Sequence, residues 1–176
     1  MHDVKTAVSQ SQYFKDSNIS TGGVILGCYI GNDAGTSAFI DKKVRSWSQG
    51  LEGVLEAGSK DPRGLYTAVT KSILHTPTYV QRGMGGADEQ YRPMEDLIRK
   101  RFLPCIMGRP TRDIGEDERG VYALPCRMGG LGVKNLMETA KPSHEEAKEA
   151  TNFLVESLLG SRQWRSSKHG EHCKRS

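Results

Sequence analysis

The sequence predicts a mainly α-helical protein, in which a short β-hairpin precedes a small helical bundle and both termini are disordered. Three observations support this fold class. Apolar side chains recur every three or four residues in several segments, as they do on the buried face of a helix. Helix-start signals, such as an aspartate followed by a proline, stand before these segments. One short run is rich in β-favouring residues and is bounded by glycines.

The β-favouring run extends from Val24 to Ile30 and is flanked by Gly22 and Gly31. β-Branched and aromatic residues favour strands, and glycines favour tight turns, so the run predicts one or two short strands. A lone hairpin is only marginally stable in water, and its unpaired edges invite association. We therefore expect this piece to be the end of a larger sheet.

Two helices are predicted after the hairpin. The first extends from about 37 to 57, and the second opens with Asp61 as N-cap and Pro62 at the first helical position. Pro77 is expected to kink or end the second helix, because proline lacks an amide donor. The predicted buried faces are Ile40, Val44, Trp47, Leu51, Val54 and Leu55 in the first helix, and Leu65, Val69 and Ile73 in the second.

A third helix is predicted to begin at Pro93 and to stop at Pro104. Its acidic residues lie in the first turn and its basic residues in the last, as the helix dipole favours. Residues four apart on a helix face each other, so opposite charges at that spacing form ion pairs. The predicted pairs are Glu95–Arg99 and Asp96–Lys100.

Two further helical segments are predicted towards the C-terminus. Asp113 and Glu116 have the spacing of a capping box and predict a short helical turn near 114–119. Ser143 and Glu146 match the capping box itself and predict a last helix, which Gly160 closes.

A glycine-rich turn is predicted between these two segments. Glycine permits positive φ angles and a close approach of the backbone to its neighbours. The turn can therefore pack under a helix, or it can bring its amide N–H groups and Arg127 towards a phosphate. Its glycines are Gly129, Gly130 and Gly132.

The formal net charge of +4 is concentrated at one end of the chain. Residues 1–160 hold equal numbers of basic and acidic side chains, whereas the tail 161–176 is basic. A short basic tail with few apolar residues is expected to be disordered. It can attract phosphates or serve only solubility.

The composition also bears on the compartment. No apolar run is long enough for a membrane helix, and the first residues are too polar for a secretory signal. The four cysteines form no C-x-x-C pair, which fits neither a disulfide scaffold nor a zinc cage. We therefore expect an intracellular protein, cytoplasmic or nuclear, with no membrane partner. The cysteines are Cys28, Cys105, Cys126 and Cys173.

The motifs of several enzyme classes are missing from the sequence. No pair of acidic residues is placed for metal-dependent phosphoryl transfer, no nucleophile stands in a triad pattern, and no phosphate-binding glycine loop is found. His169, His172 and Cys173 lack a fourth zinc ligand. We expect no catalytic residues, no metal and no cofactor. Polyanion binding by dispersed basic residues remains open, with four aromatic residues available for packing or stacking: Trp47, Tyr66, Tyr79 and Tyr91.

The order of several short patterns resembles a known family. They are VILGCYIG at 24–31, VRSW at 44–47, LYTA at 65–68 with TYVQR at 78–82, PMEDLIR at 93–99, FLP at 102–104 and LPCRMGGLG at 124–132. In this order, from about Ile19 to Leu159, they resemble the region just after the catalytic palm in retrotransposon reverse transcriptases.

The resemblance implies a domain organisation and a set of contacts. Residues 1–18 are a disordered segment, 19–35 a hairpin like the end of a polymerase palm, 36–160 a thumb-like helical bundle, and 161–176 a basic disordered tail. In that family a hydrophobic-Leu-Gly strand helps to position the primer end, which implies a primer-grip-like role for Leu26 and Gly27. The basic residues expected to contact the primer–template backbone are Arg45, Lys71, Arg99, Lys100 and Arg127.

The sequence departs from the family pattern at the catalytic centre. The aromatic-Ala-Asp-Asp motif of the palm and its partner aspartate are missing from it, so we expect a non-catalytic fragment of a reverse transcriptase. Met1 shortly before the hairpin suggests a truncated reading frame. Two alternatives stay open: a helical module that packs on a protein partner, on the missing palm or on a second copy, and a translated remnant without function.

Overall fold

A computed structural model describes residues 20–85, 88–109 and 114–160 of the chain. It is mainly helical and begins with a two-stranded antiparallel hairpin, which confirms the predicted fold class. The N-terminal segment, the C-terminal tail and Asp113, on which predictions were also made, lie outside the described residues. Among the residues that are described, no helix is both long enough and apolar enough to cross a membrane.

The hairpin consists of β1 (Gly22–Ile25) and β2 (Cys28–Gly31), which form the only sheet among the described residues. Ile25 is the register partner of Cys28, so Leu26 and Gly27 alone form the connecting turn. Both residues have positive φ angles, 50° and 81°. Positive φ at both central residues defines a type I′ turn, whose twist matches that of the strands.

Helix α1 (Asp33–Gly58) begins four residues earlier than predicted. The side chain of Asn32 accepts a hydrogen bond from the amide of Gly35 (2.8 Å) and so satisfies a donor at the helix start. The predicted apolar face is buried at Ile40, Val44, Leu51 and Leu55 and half-buried at Trp47 and Val54.

Helix α2 (Pro62–Ala68) has the predicted cap, since Asp61 accepts from the amide of Gly64 (3.0 Å). A π-helical turn (Val69–Ile73) follows, and then α3 (His75–Gly83). The predicted interruption therefore lies upstream of Pro77. Pro77 itself lies in the first turn of α3, where the missing amide donor is tolerated because first-turn amides have no intrahelical acceptor.

The predicted stop at Pro104 is wrong. After a short 3₁₀ turn (Asp88–Tyr91), the chain forms α4 (Arg92–Leu97), a π-helical turn (Ile98–Phe102) and α5 (Leu103–Ile106). The amide of Leu103 donates to the carbonyl of Ile98, five residues back. This wide turn lets the helical path continue through a residue that has no amide donor of its own.

The predicted start of the last helix at Ser143 is also wrong. After α6 (Glu116–Ala123) and a 3₁₀ turn (Cys126–Met128), α7 extends over Leu136–Leu158. Asn135 caps it by accepting from the amide of Met137 (3.0 Å). Pro142 lies inside this helix at an exposed position, where water can hydrate the carbonyl that lacks a donor.

Helices α1, α3, α4 and α7 enclose the core. Helix α3 packs along α7, and α1 packs along α4. Gln81 on α3 is buried and donates to the carbonyl of Leu136 (2.8 Å), and it accepts from Thr139 (3.3 Å). A polar side chain thus fixes the start of α7 against α3.

A buried ion pair joins α4 to α6. Arg119 donates to both carboxylate oxygens of Glu95, at 2.5 and 3.1 Å, and both side chains are at most 8% exposed. The same guanidinium donates to the carbonyls of Val133 (2.7 Å) and Lys134 (3.0 Å), and Glu95 accepts from the amide of Leu136 (3.3 Å). One pair therefore fixes two helices and the segment that leads into α7.

Only one of the two predicted ion pairs of the third helix is present. Lys100 and Asp96 are paired at 3.1 Å on the surface. The predicted Glu95–Arg99 pair is wrong, because Glu95 is taken by Arg119 and Arg99 contacts Glu116 instead. Burial makes a doubly bonded partner on another helix more favourable for Glu95 than a neighbour on its own helix.

Replacing Arg119 with methionine is expected to lower the free energy of unfolding by about 3–5 kcal/mol, because Glu95 would be left buried and unpaired. Lys100→Met is the matched control, since it breaks the exposed Lys100–Asp96 pair and should lower stability by less than about 1 kcal/mol. Urea denaturation followed by circular dichroism measures both. Equal effects of the two variants would contradict the importance given to the buried pair.

The stability at alkaline pH is expected to depend on Tyr91. Burial, with the nearby charge of Asp88, raises the pKa of Tyr91 to about 12. The ordinary value near 10 applies to the unfolded chain. The stabilisation is therefore full below about pH 10 and is lost as the pH rises through about 12.

By about pH 11 the wild type should have lost on the order of 1 kcal/mol through Tyr91 alone, whereas Tyr91→Phe should lack this loss. Urea denaturation at about pH 9 and about pH 11 measures the difference. An identical decline in both proteins would show that Tyr91 does not titrate in this way.

Candidate nucleic-acid interface

The tip of the hairpin presents apolar side chains to solvent. Leu26 is 85% exposed, and Val24, Ile25 and Ile30 are each more than half exposed. A group of exposed apolar residues of this kind marks a contact surface. We call Val24, Ile25 and Leu26 the hairpin tip surface, since Ile30 pairs with Gly23 nearer the open end of the hairpin.

Tyr79 on α3 holds the hairpin turn from the side. Its hydroxyl donates to the carbonyl of Leu26 (2.5 Å), and its ring lies 3.5 Å from where a Cβ on Gly27 would stand. Tyr79 is 56% exposed and so extends the hairpin tip surface onto the helices. Of the four aromatic residues considered for stacking, Tyr79 alone is exposed; Tyr91 is buried, and Trp47 and Tyr66 are half-buried.

The base of the hairpin is fixed by packing. A Cβ on Gly22, Gly31 or Gly35 would lie within 3 Å of the Tyr29 side chain, so these glycines provide the space for its ring. Tyr29 stacks on Phe39 with ring centroids 6.3 Å apart. These contacts hold the hairpin against the start of α1.

The predicted phosphate contacts fall into two groups. Arg45, Lys71 and Arg127 are exposed on α1, on the first π-helical turn and on the 3₁₀ turn. Arg99 donates to the carbonyl of Ile114 (2.6 Å) and pairs with Glu116, and Lys100 pairs with Asp96. Arg45 donates to the carbonyl of Asp41 on its own helix (3.3 Å) but does not pair with a carboxylate in the described ranges. Arg45, Lys71 and Arg127 are thus the better candidates.

Tyr66 on α2, five residues before Lys71, contacts the segment that carries Arg127. Its hydroxyl donates to the carbonyl of Leu131 (2.7 Å) and lies 3.8 Å from the Cys126 sulfur. Burial, together with the neighbouring Cys126, raises the pKa of Tyr66. The hydroxyl is the donor in the bond to the Leu131 carbonyl.

In the glycine-rich turn, backbone amides donate hydrogen bonds to backbone carbonyls of the protein itself. The amides of Leu131 and Val133 donate to the carbonyl of Tyr122, at 3.2 and 3.1 Å, and that of Gly132 donates to Leu124 (2.8 Å). A Cβ on Gly130 would lie 2.0 Å from the Leu124 carbonyl oxygen. Close packing accounts for Gly130, whereas Gly129 and Gly132 have positive φ angles of 85° and 66°, which favour glycine.

The described residues hold no group of three or more His, Cys, Asp or Glu side chains placed to bind a metal ion. His144 contacts the carbonyl of Arg82 (3.3 Å). The tail residues considered as zinc ligands, His169, His172 and Cys173, lie outside the described ranges.

Sequence reasoning missed the contact between Tyr79 and the hairpin. Tyr79 and Leu26 are 53 positions apart in the sequence, and no periodic pattern connects them. The sequence leaves Tyr79 available for packing or for stacking, and its exposure in the structure makes it part of a surface. One feature of the sequence could have indicated that the turn needs a supporting contact. Leu26 precedes Gly27 in a two-residue turn, and leucine is unusual at that position.

Comparison with known protein families, curated proteins and solved structures finds no match to this chain. The resemblance to reverse transcriptases therefore stays a prediction.

Gly130→Ala is expected to lower the free energy of unfolding by about 1–3 kcal/mol, because the added methyl group overlaps the Leu124 carbonyl. Gly120→Ala in α6 is the matched control. Nothing lies within 4 Å of its Cβ position, and alanine should raise stability by roughly 0.5–1 kcal/mol. Thermal denaturation compares them, and a neutral Gly130→Ala would mean that the turn is not closely packed.

Proposed function

We propose that this chain is the region that follows the palm of a retroelement reverse transcriptase and contacts the primer–template backbone without base specificity. The carrying observation is the hairpin tip surface, in which the Leu26–Gly27 turn projects from a hairpin that leads directly into the helices. An apolar turn at this place suits contact with sugar and base surfaces at the end of a duplex.

The exposed basic residues supply the electrostatic part of the proposed contact. Lys71 follows α2, whose Tyr66 contacts the turn that carries Arg127, and Arg45 is exposed on α1. Arg99 and Lys100 are less suited, because each already faces a carboxylate. Phosphate contacts of this kind position a duplex and carry no sequence information. The sequence lacks the palm aspartates, so the chain should hold a duplex and not extend it.

Binding to a fluorescein-labelled recessed primer–template is expected to weaken steeply as the KCl concentration rises, because each phosphate contact releases counterions. The triple variant Arg45→Ala/Lys71→Ala/Arg127→Ala should reduce the slope of log Kd against log salt by roughly 0.9 for each lost contact. Fluorescence anisotropy of the full chain measures the slope.

Arg92→Ala is the control for this experiment. Arg92 is also exposed but pairs with Glu89 at 2.5 Å, so its removal should leave the slope nearly unchanged. No binding at low salt, or an equal slope in the triple variant and the wild type, would contradict the proposal.

A helical protein-interaction module is the second candidate. At the end of α7, Val155, Leu158 and Leu159 are exposed, the last two at 87% and 78%. Apolar residues at this spacing on a helix end favour a partner helix or a second copy. Light scattering distinguishes the two readings, since self-association that Leu158→Glu abolishes would favour the module.

A further inference from the structure

The turn that forms the hairpin tip holds leucine in an unfavourable conformation. Leu26 has φ 50°, in the left-handed region, where the side chain crowds the following carbonyl. The first central position of a type I′ turn favours Asn, Asp or Gly. Without a supporting contact, this turn would populate other conformations. A strained backbone conformation at an exposed residue indicates a functional role.

The hydrogen bond from Tyr79 acts on the strained residue itself. It ends on the carbonyl of Leu26 and comes from a helix, a rigid element 53 residues away. Burial does not require this bond, since Tyr79 is 56% exposed and its hydroxyl could be hydrated by water instead. Tyr29, the second residue after the turn, makes a second contact with the helices, where its amide lies 3.3 Å from the Met84 sulfur.

We propose that Tyr79 is a positioning residue: its hydroxyl holds Leu26 in the left-handed conformation and so fixes the leucine side chain outward for contact with the end of a bound duplex. The part about the duplex rests on the proposed function, whereas the part about the hairpin does not. The side chain touches no phosphate in this role, and its effect is therefore independent of salt.

The first test uses the full chain without nucleic acid. Tyr79→Phe keeps the ring and removes the hydroxyl, so the fold should survive while amide exchange at Cys28, next to the turn, becomes about tenfold faster. Tyr66→Phe is the matched control, because it removes a hydroxyl that also donates to a backbone carbonyl, that of Leu131. It should leave exchange at Cys28 unchanged. Hydrogen exchange followed by NMR measures both, and unchanged exchange in Tyr79→Phe overturns the proposal.

A second variant separates positioning from general loosening. Leu26→Asn introduces a residue that suits the turn without help. In that background, Tyr79→Phe should change the exchange rate at Cys28 by less than twofold. A full tenfold effect in both backgrounds would mean that the hydroxyl does not act on the leucine conformation, which overturns the proposal.

Anisotropy with the recessed primer–template tests the functional part. Tyr79→Phe should weaken binding about three- to tenfold at fixed salt, with the salt slope of the wild type. Equal affinity of the two proteins, where the wild type binds, overturns the positioning role. If the wild type binds no duplex, the proposed function fails together with the duplex contact, and hydrogen exchange alone decides whether Tyr79 holds the turn.

Discussion

The buried ion pair between Glu95 and Arg119 is the interaction on which the rest of the described structure depends. The guanidinium also binds the carbonyls at 133 and 134, and the carboxylate also accepts the amide of Leu136. A buried charge pair is stable only when its remaining hydrogen-bonding capacity is used, and here the backbone before α7 uses it. The ion pair joins α4 to α6 and thereby also sets the position of α7.

The ion pair and the helices that it joins form a frame, and the two parts of the candidate interface are attached to this frame in different ways. The glycine-rich turn lies between α6 and the segment bound by Arg119. Its amides donate to carbonyls of the turn and of the end of α6, so it serves as structure that carries Arg127. The hairpin lies at the other end of the sequence and reaches the helices through Tyr29 and Tyr79. Its apolar tip stays in solvent. The frame is thus charged and buried, whereas the proposed contact surface is apolar and exposed.

Signals within a few residues of one another predicted most of the fold. Asp61 with Pro62 marked a helix start because cap and helix are adjacent in the chain. The start of α7 was missed although Asn135 and Glu138, hydrogen-bonded at 2.9 Å, have capping-box spacing too. The partner of Glu95 and the contact of Tyr79 with the hairpin could not be predicted, because both depend on packing between distant segments.

The central claim is that the Glu95–Arg119 pair fixes α4, α6 and the start of α7 as one unit. Hydrogen exchange with mass spectrometry on Glu95→Gln tests it most directly, since the variant keeps the shape of the side chain and removes its charge. The account predicts that protection falls together in α4, in α6 and at the start of α7, while the hairpin keeps the protection it has in the wild type. Loss of protection in α4 alone, with α6 and α7 unchanged, would contradict it.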